Sequence, residues 1–497
     1  MRSLAVAIAR PRARARTRGL TFSITIPLRL SVTIPLSAAV GALACGLCAP
    51  ACASAQPSRA HTSTRGPSVT SALASLKAGG GITAGAYSQY TSAYSSAQRS
   101  LKKLTGTRKT ELASVLGNVQ QIAAAGAFTP SRLPVLFLTL ERNRQWWTTE
   151  PLLANGQRVS FPQSRLVWEY YAGQGLEIQW LGTFGEANSY YGRGENASLR
   201  QLLAEAIPLA TERAGGIAWE YMIHFDGGSP PWTSGLSQGT ALQVLARAWS
   251  RFHEPAYLTA AQQALGIFQT PPPEGVRVST AAGAEYAEYT YAPQDRILNG
   301  FIQALVGLYD YTSITKDPLG LALFEAGDAE ARLEVPHYDT GAWSLYDQFG
   351  ESDLNYHELL TEFLLHLCER TRGGPPIRKA NAAIAGDAIY CTTAEHFTSY
   401  LHTPPVVSLL SSKLPTSARA GVQVSLSKIA TVSITVRRGS STVWTNAATV
   451  EAGKPKLLWV TPSQTGSYSI AITAKDLAGN FATTSGTITL TKSAKTH

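Results

Sequence analysis

The chain has 497 residues, 44% of them hydrophobic, 15% charged and 9% aromatic, which is material for two to four domains with buried cores and excludes a disordered or collagen-like chain. The formal net charge is +10, divided as +7 over 1–55, +7 over 56–130, −12 over 131–400 and +8 over 401–497. The largest unit is therefore acidic, and the basic total gives no ground for expecting nucleic acid as a partner.

Residues 1–55 place seven Arg and no acidic residue around an apolar stretch from about Leu30 to Ala51, closed by Ala53-Ser54-Ala55. That is the pattern of a secretory signal peptide, with a membrane anchor as the rival reading, and it predicts a secreted or cell-surface protein. Cys45, Cys48 and Cys52 fall inside it. Cys368 and Cys391 remain afterwards, and an oxidising compartment favours joining them in one disulfide. Residues 56–129 read as a linker followed by a small basic helical hairpin. Its clearest stripe is Leu112, Val115, Leu116, Val119 and Ile122.

From 130 to 403 amphipathic helices follow one another. Leu199, Leu202 and Leu203 mark one; Leu242, Leu245, Ala246 and Trp249 the next; Pro255 opens another. Further stripes start at Phe301 and at Leu359. Such a series, with aromatic-rich connections, predicts a mainly α protein whose catalytic domain is an α/α toroid. Beyond Pro404 the period changes to two: Val432 to Val436, Leu457 to Val460, Tyr468 to Thr473 and Thr487 to Leu490 read as strands of an Ig-like β-sandwich over 404–497, with a turn at 476–480. A spacer is the simpler role for this module, and contact with cell-wall glycan through its +8 charge is the alternative.

The acidic domain contains no zinc-type cysteine cluster, phosphate loop, dinucleotide fingerprint or Gly-x-Ser-x-Gly elbow, so neither a metal nor a cofactor is expected. Tyrosines and carboxylates instead crowd segments 219–242, 285–300 and 336–360. Sugar rings stack on aromatic faces while their hydroxyls seek polar partners, so these segments predict a carbohydrate cleft. Glu177, Glu186 and Asp226 keep a glycoside hydrolase or polysaccharide lyase in view, and a non-catalytic glycan-binding surface protein is the third reading.

Five ordered blocks carry a resemblance. GLEIQWLGTFGEANSY (175–190), GLSQGTALQVLARAW (235–249), RILNGFIQALVGLYDY (296–311), ALFEAGDAEARLEVPHYDTGAWSLYD (322–347) and NYHELL (355–360) resemble the C-terminal domain of the D-glucuronyl C5-epimerases. The resemblance spans roughly 165–368. It implies an isomerase that inverts carbon 5 of uronic acid residues within a polysaccharide, by proton removal and return on opposite faces. In the family three tyrosines and a glutamate carry this chemistry, and matching AEYT, LYDQ and NYHE puts those roles on Tyr289, Tyr346, Tyr356 and Glu288. Tyr346 and Tyr356 are the expected proton-exchange groups, with Tyr289 and Glu288 as the opposing pair. Gln179, Gln238, Asn299, His357, Trp232 and Trp343 are expected to bind substrate. The arginine three residues after the middle tyrosine in animal members is Phe349 here, and Arg296 is the expected substitute facing the substrate carboxylate. The resemblance also implies a homodimer through helical surfaces.

Overall fold

The computed structural model describes residues 66–372 and 388–492; the signal-like segment 1–55 lies outside them. Four helices come first: α1 (Val69–Ala78), α2 (Ala84–Leu101), α3 (Gly106–Ala124) and α4 (Leu133–Thr149). The side chains of Ser68 and Thr83 cap α1 and α2 by accepting backbone N–H bonds, which satisfies donors that a helix start leaves open. The expected hairpin is thus three helices before residue 126, because the chain turns at both 79–83 and 102–105. The α3 stripe foreseen from spacing is buried, and it belongs to one continuous core with the helices that follow.

A three-stranded antiparallel sheet comes next, with β1 (Arg158–Val159), β2 (Trp168–Tyr171) and β3 (Gly175–Ile178) in that order. Then come α5 (Trp180–Arg193), α6 (Asn196–Ala206), the hairpin β4 (Thr211–Arg213) and β5 (Gly216–Ala218), α7 (Gly235–Phe252), α8 (Pro255–Ala264) and the short α9 (Gly266–Gln269). A second hairpin, β6 (Arg277–Ser279) and β7 (Ala284–Tyr286), precedes α10 (Leu298–Thr315), α11 (Pro318–Glu334), α12 (Leu354–Arg372) and α13 (Ile389–Tyr400). Helices α5, α7, α10 and α12 pack side by side in that order, and α6, α8, α11 and α13 each pack on the helix before. Within the first row α7 and α10 are enclosed along most of their length. Their close approach requires glycine, since a Cβ on Gly307 would stand 2.1 Å from the carbonyl oxygen of Gly239. A disulfide joins Cys368 of α12 to Cys391 of α13.

The C-terminal region is all β: β8 (Val407–Leu409), β9 (Lys413–Pro415), β10 (Arg419–Leu426), β11 (Ala430–Arg438), β12 (Ser441–Val450), β13 (Lys456–Val460), β14 (Gly466–Asp476) and β15 (Phe481–Thr491). They make a three-stranded sheet ordered β13-β10-β8 and a five-stranded sheet ordered β12-β11-β14-β15-β9. Alternate residues face inward, as a period of two requires. Val422, Val424, Ile434, Trp459, Ile470 and Ile472 from both sheets share one core, separate from the helical one. The foreseen turn joins β14 to β15, with Asp476 Oδ1 accepting the Asn480 N–H at 2.8 Å. Among the described residues no helix is long and apolar enough to cross a membrane.

Candidate active site

Three segments remote in sequence meet at one end of the helix row. The first runs from Tyr286 to Tyr291, after β7. It is tied to the residues before α7: Thr290 N–H donates to Thr233 O at 3.1 Å, and Gly235 N–H reaches the carbonyls of Ala287 and Glu288. A Cβ on Gly235 would lie 2.5 Å from Ala287 O, so only glycine admits this approach. Ser234 has two tasks here. Its hydroxyl caps α7 by accepting from Ser237 N–H, and it donates to Glu288 Oε1 at 2.9 Å.

The second segment is a short hairpin between Trp343 and Ser352. Leu345 bridges Glu351, Tyr346 N–H donates to Gly350 O at 2.9 Å, and Ser352 N–H donates to Ser344 O at 3.0 Å. The Asp347 carboxylate closes its tip by accepting the N–H groups of Phe349 and Gly350. Phe349 itself points outward, 78% exposed. The third segment is the first turn of α12, where Asp353 Oδ1 accepts Tyr356 N–H at 2.8 Å.

These segments bring Tyr289, Tyr346, Tyr356 and Glu288 together. The rings of Tyr346 and Tyr356 stand 4.6 Å apart and tilted, and the Tyr346 phenol is near enough to Tyr289 and Tyr356 for each to act on its ionisation. Burial pushes all three phenols above the ordinary value of 10.0. Tyr356 rises least, to about 12, and is the first of the three to lose a proton. Glu288 is pushed up to about 7 by burial, against the bond from Ser234. Its Oε2 has no hydrogen-bond partner and lies 1.9 Å from where a Cβ on Gly300 would be, so the carboxylate fills the space that glycine leaves at the start of α10. Next to Gly300, Asn299 is buried with its side-chain oxygen also unpartnered.

Trp232 walls this group, packing edge-on against Tyr289 at 5.7 Å and stacking on Tyr221 at 4.4 Å. Sequence reasoning passed over Ser234, Tyr221 and Tyr291. Tyr291 stacks on Tyr289 at 5.2 Å and its buried hydroxyl has no partner; the Tyr-Thr-Tyr spacing of 289–291, which puts both rings on one side of an extended segment, was the available signal.

Other expected binding residues are placed differently. The Arg296 guanidinium pairs with Glu334, with Glu285 at 3.1 Å and with Glu330 at 3.9 Å, so its charge is already met inside the protein. The side chain is nevertheless 40% exposed. His357 is fully buried and stacked on Trp343 at 3.7 Å; Nδ1 accepts from Ser344, Nε2 faces Phe397 O at 2.9 Å, and burial lowers it to about 4. It is a neutral structural group, and Trp343, equally buried, stacks on it rather than on a sugar. Gln238 is enclosed too, bonded to Trp219 and Thr233. Gln179 caps α5 by accepting from Gly182 N–H. In all five, polar groups meet partners within the chain.

A cleft of about 260 Å³ opens beside the hairpin between Arg296, Glu334, His337, Tyr338, Leu345 and Gln348, and none of the three tyrosines lines it. Of the carboxylates considered for hydrolysis, Glu177 is buried and accepts Met222 N–H, whereas Glu186 pairs with Arg193 on the surface of α5. No group of three or more His, Cys, Asp or Glu side chains suited to a metal ion occurs among the described residues.

Comparison with known proteins places this geometry. Residues 214–382 match the family described as D-glucuronyl C5-epimerase C-terminus. The D-glucuronyl C5-epimerase of Caenorhabditis elegans is 33% identical over 131 residues, which are 24% of this chain and 21% of that one. An uncharacterized protein of Methanocaldococcus jannaschii is 28% identical over 151 residues, 29% of this chain and 49% of that one. The chain thus covers about a fifth and about a half of these two relatives. The match to the D-glucuronyl C5-epimerase C-terminus thus spans residues 214–382, about a third of the chain.

Proposed function

We propose that the protein is a cofactor-free carbohydrate epimerase that inverts carbon 5 of uronic acid residues within a polysaccharide. The observation that carries this reading is the convergence of three phenols from three segments with one buried carboxylate. Epimerisation needs one group to take a proton from carbon 5 and another to return one to the opposite face. Tyr356 suits the first task, as the phenol that ionises most readily. Tyr289, whose hydroxyl is held protonated by burial first and then by the charges of Tyr346 and Glu288, suits the second. After one inversion Tyr356 holds the proton taken from carbon 5 and Tyr289 lacks one. Transfer from Tyr356 through Tyr346 to Tyr289 restores the starting state, so the reaction balances without any outside reagent.

The intermediate carries charge on the carboxylate and needs a cation near it. Two cations that are both paired within the chain are candidates for this role, Arg296 and Arg158 of β1. The Arg158 Nε donates to Glu169 at 2.9 Å, the same carboxylate whose charge bears on Tyr356. Export through the 1–55 segment belongs to the same reading and is supported by the disulfide, which persists in oxidising compartments. The row of α5, α7, α10 and α12, each with the next helix packed on it, fits an open α/α toroid, and the two-sheet C-terminal unit fits an Ig-like sandwich.

The test is incubation of glucuronate-containing polysaccharides with the protein, reading the ratio of C5 epimers by proton NMR together with chain cleavage. A change in epimer ratio at constant chain length is the expected result. New reducing ends without epimerisation would replace the reading with hydrolysis, and unsaturated uronate at chain ends would replace it with elimination.

A further inference from the structure

The Tyr346 hairpin is gripped from the β unit. Glu351, on its returning strand, accepts the Ala452 N–H at 2.8 Å, and the Ile429 N–H also bears on its carboxylate. Ala452 lies in the connection between β12 and β13, and Ile429 in that between β10 and β11. Next to Ile429, Lys428 is 1% exposed; its ammonium pairs with Asp476 at 2.7 Å, donates to Tyr400 O at 2.8 Å and to Thr403 O at 2.5 Å, and lies 5.1 Å from the centre of the Trp343 ring. Trp343 opens the hairpin, donates through Nε1 to Ser352 O at 2.9 Å, and stacks on His357, the neighbour of Tyr356. Asn480 adds a further bond across the junction, to Leu401 O at 2.9 Å.

A spacer has no reason to bury a lysine against the other unit's aromatic ring and helix end. Burying an ammonium is costly unless each of its donors is met, and here the partners come from both units. The geometry points to the C-terminal β unit as a positioning element of the active site: Glu351 and Lys428 fix the hairpin that carries Tyr346 and, through Trp343 and His357, the helix start that carries Tyr356. This rests on the proposed epimerase reading for its consequence in turnover, but not for its consequence in local order.

The experiment uses the full chain and the variants Glu351→Ala, Glu351→Gln and Ala452→Pro, the last removing the donor from the other side. Three quantities are read: amide hydrogen exchange of the Tyr346 and Ser352 N–H groups, melting temperature, and kcat and KM for epimerisation. Glu351→Ala and Ala452→Pro are expected to speed exchange in the hairpin about tenfold or more while exchange elsewhere is unchanged. A loosened phenol lowers kcat by roughly 10- to 100-fold with KM little altered, since misplacement by an ångström costs on that order. Glu351→Gln keeps an acceptor and is expected to behave like the parent. Unaltered hairpin exchange in both disruptive variants, uniform loosening of the whole chain, or loosened hairpins with undiminished kcat would each overturn the inference. A parent protein that epimerises no uronate polymer would refute the proposed function alone, and exchange would still decide the positioning claim.

Discussion

Tyr356 is the phenol of the three that burial raises least, to about 12. Tyr356→Phe should lower kcat by about 10²- to 10⁴-fold, the usual worth of a general base, with KM for the polymer little changed. Of Arg158→Ala and Arg296→Ala, the one that removes the charge facing the substrate carboxylate should instead raise KM, because that carboxylate is present in substrate and intermediate alike. Glu288 gives a pH signature. Its folded value of about 7 exceeds its ordinary 4.5, so the folded state holds this proton more tightly, and the stability so gained is lost as pH rises through about 7. Glu285 and Glu177, raised to about 7 and about 8 by burial, act in the same direction. Glu288→Gln should therefore melt higher than the parent at about pH 8 and gain little at about pH 5. At this scale the family resemblance located the four clustered side chains. The internal partners of Arg296, His357, Trp343 and Gln238 were not legible, because residue type does not reveal whether a polar or aromatic group is already satisfied within the fold.

Among the elements, the pair α7 and α10 sets the site's geometry, since Ser234 caps one and Gly300 opens the other beneath Glu288. Gly307→Ala would force the two helices apart and should cost about 1–3 kcal/mol, the usual penalty of overfilling a packed contact, seen as a lowered melting temperature. The Cys368–Cys391 bond closes a span of 23 residues, and replacing both with Ser should cost roughly 3 kcal/mol on the loop-entropy account. The helices were legible because each must bury one stripe at a spacing near 3.6, and α6, α7, α8, α10 and α12 lie where their stripes put them. The reading of one hairpin before residue 126 missed a turn, since the polar, serine-rich α2 has no apolar period strong enough to separate it from α1.

Across the whole molecule, the β unit was legible as strands from its period of two, but its attachment was not. Docking rests on Lys428, Asn480, Glu351 and their partners, single polar residues in connections that carry no period. The central claim is that three phenols drawn from distant segments exchange the hydrogen on carbon 5. Solvent deuterium entering that position tests it most directly, measured by mass spectrometry of uronate polymer incubated in deuterated water with the parent and with Tyr289→Phe, Tyr346→Phe and Tyr356→Phe chains of unaltered melting temperature. Label at carbon 5 in both epimers with the parent, and its near-complete loss in each variant, is the predicted result. Undiminished label in the three variants would contradict the account.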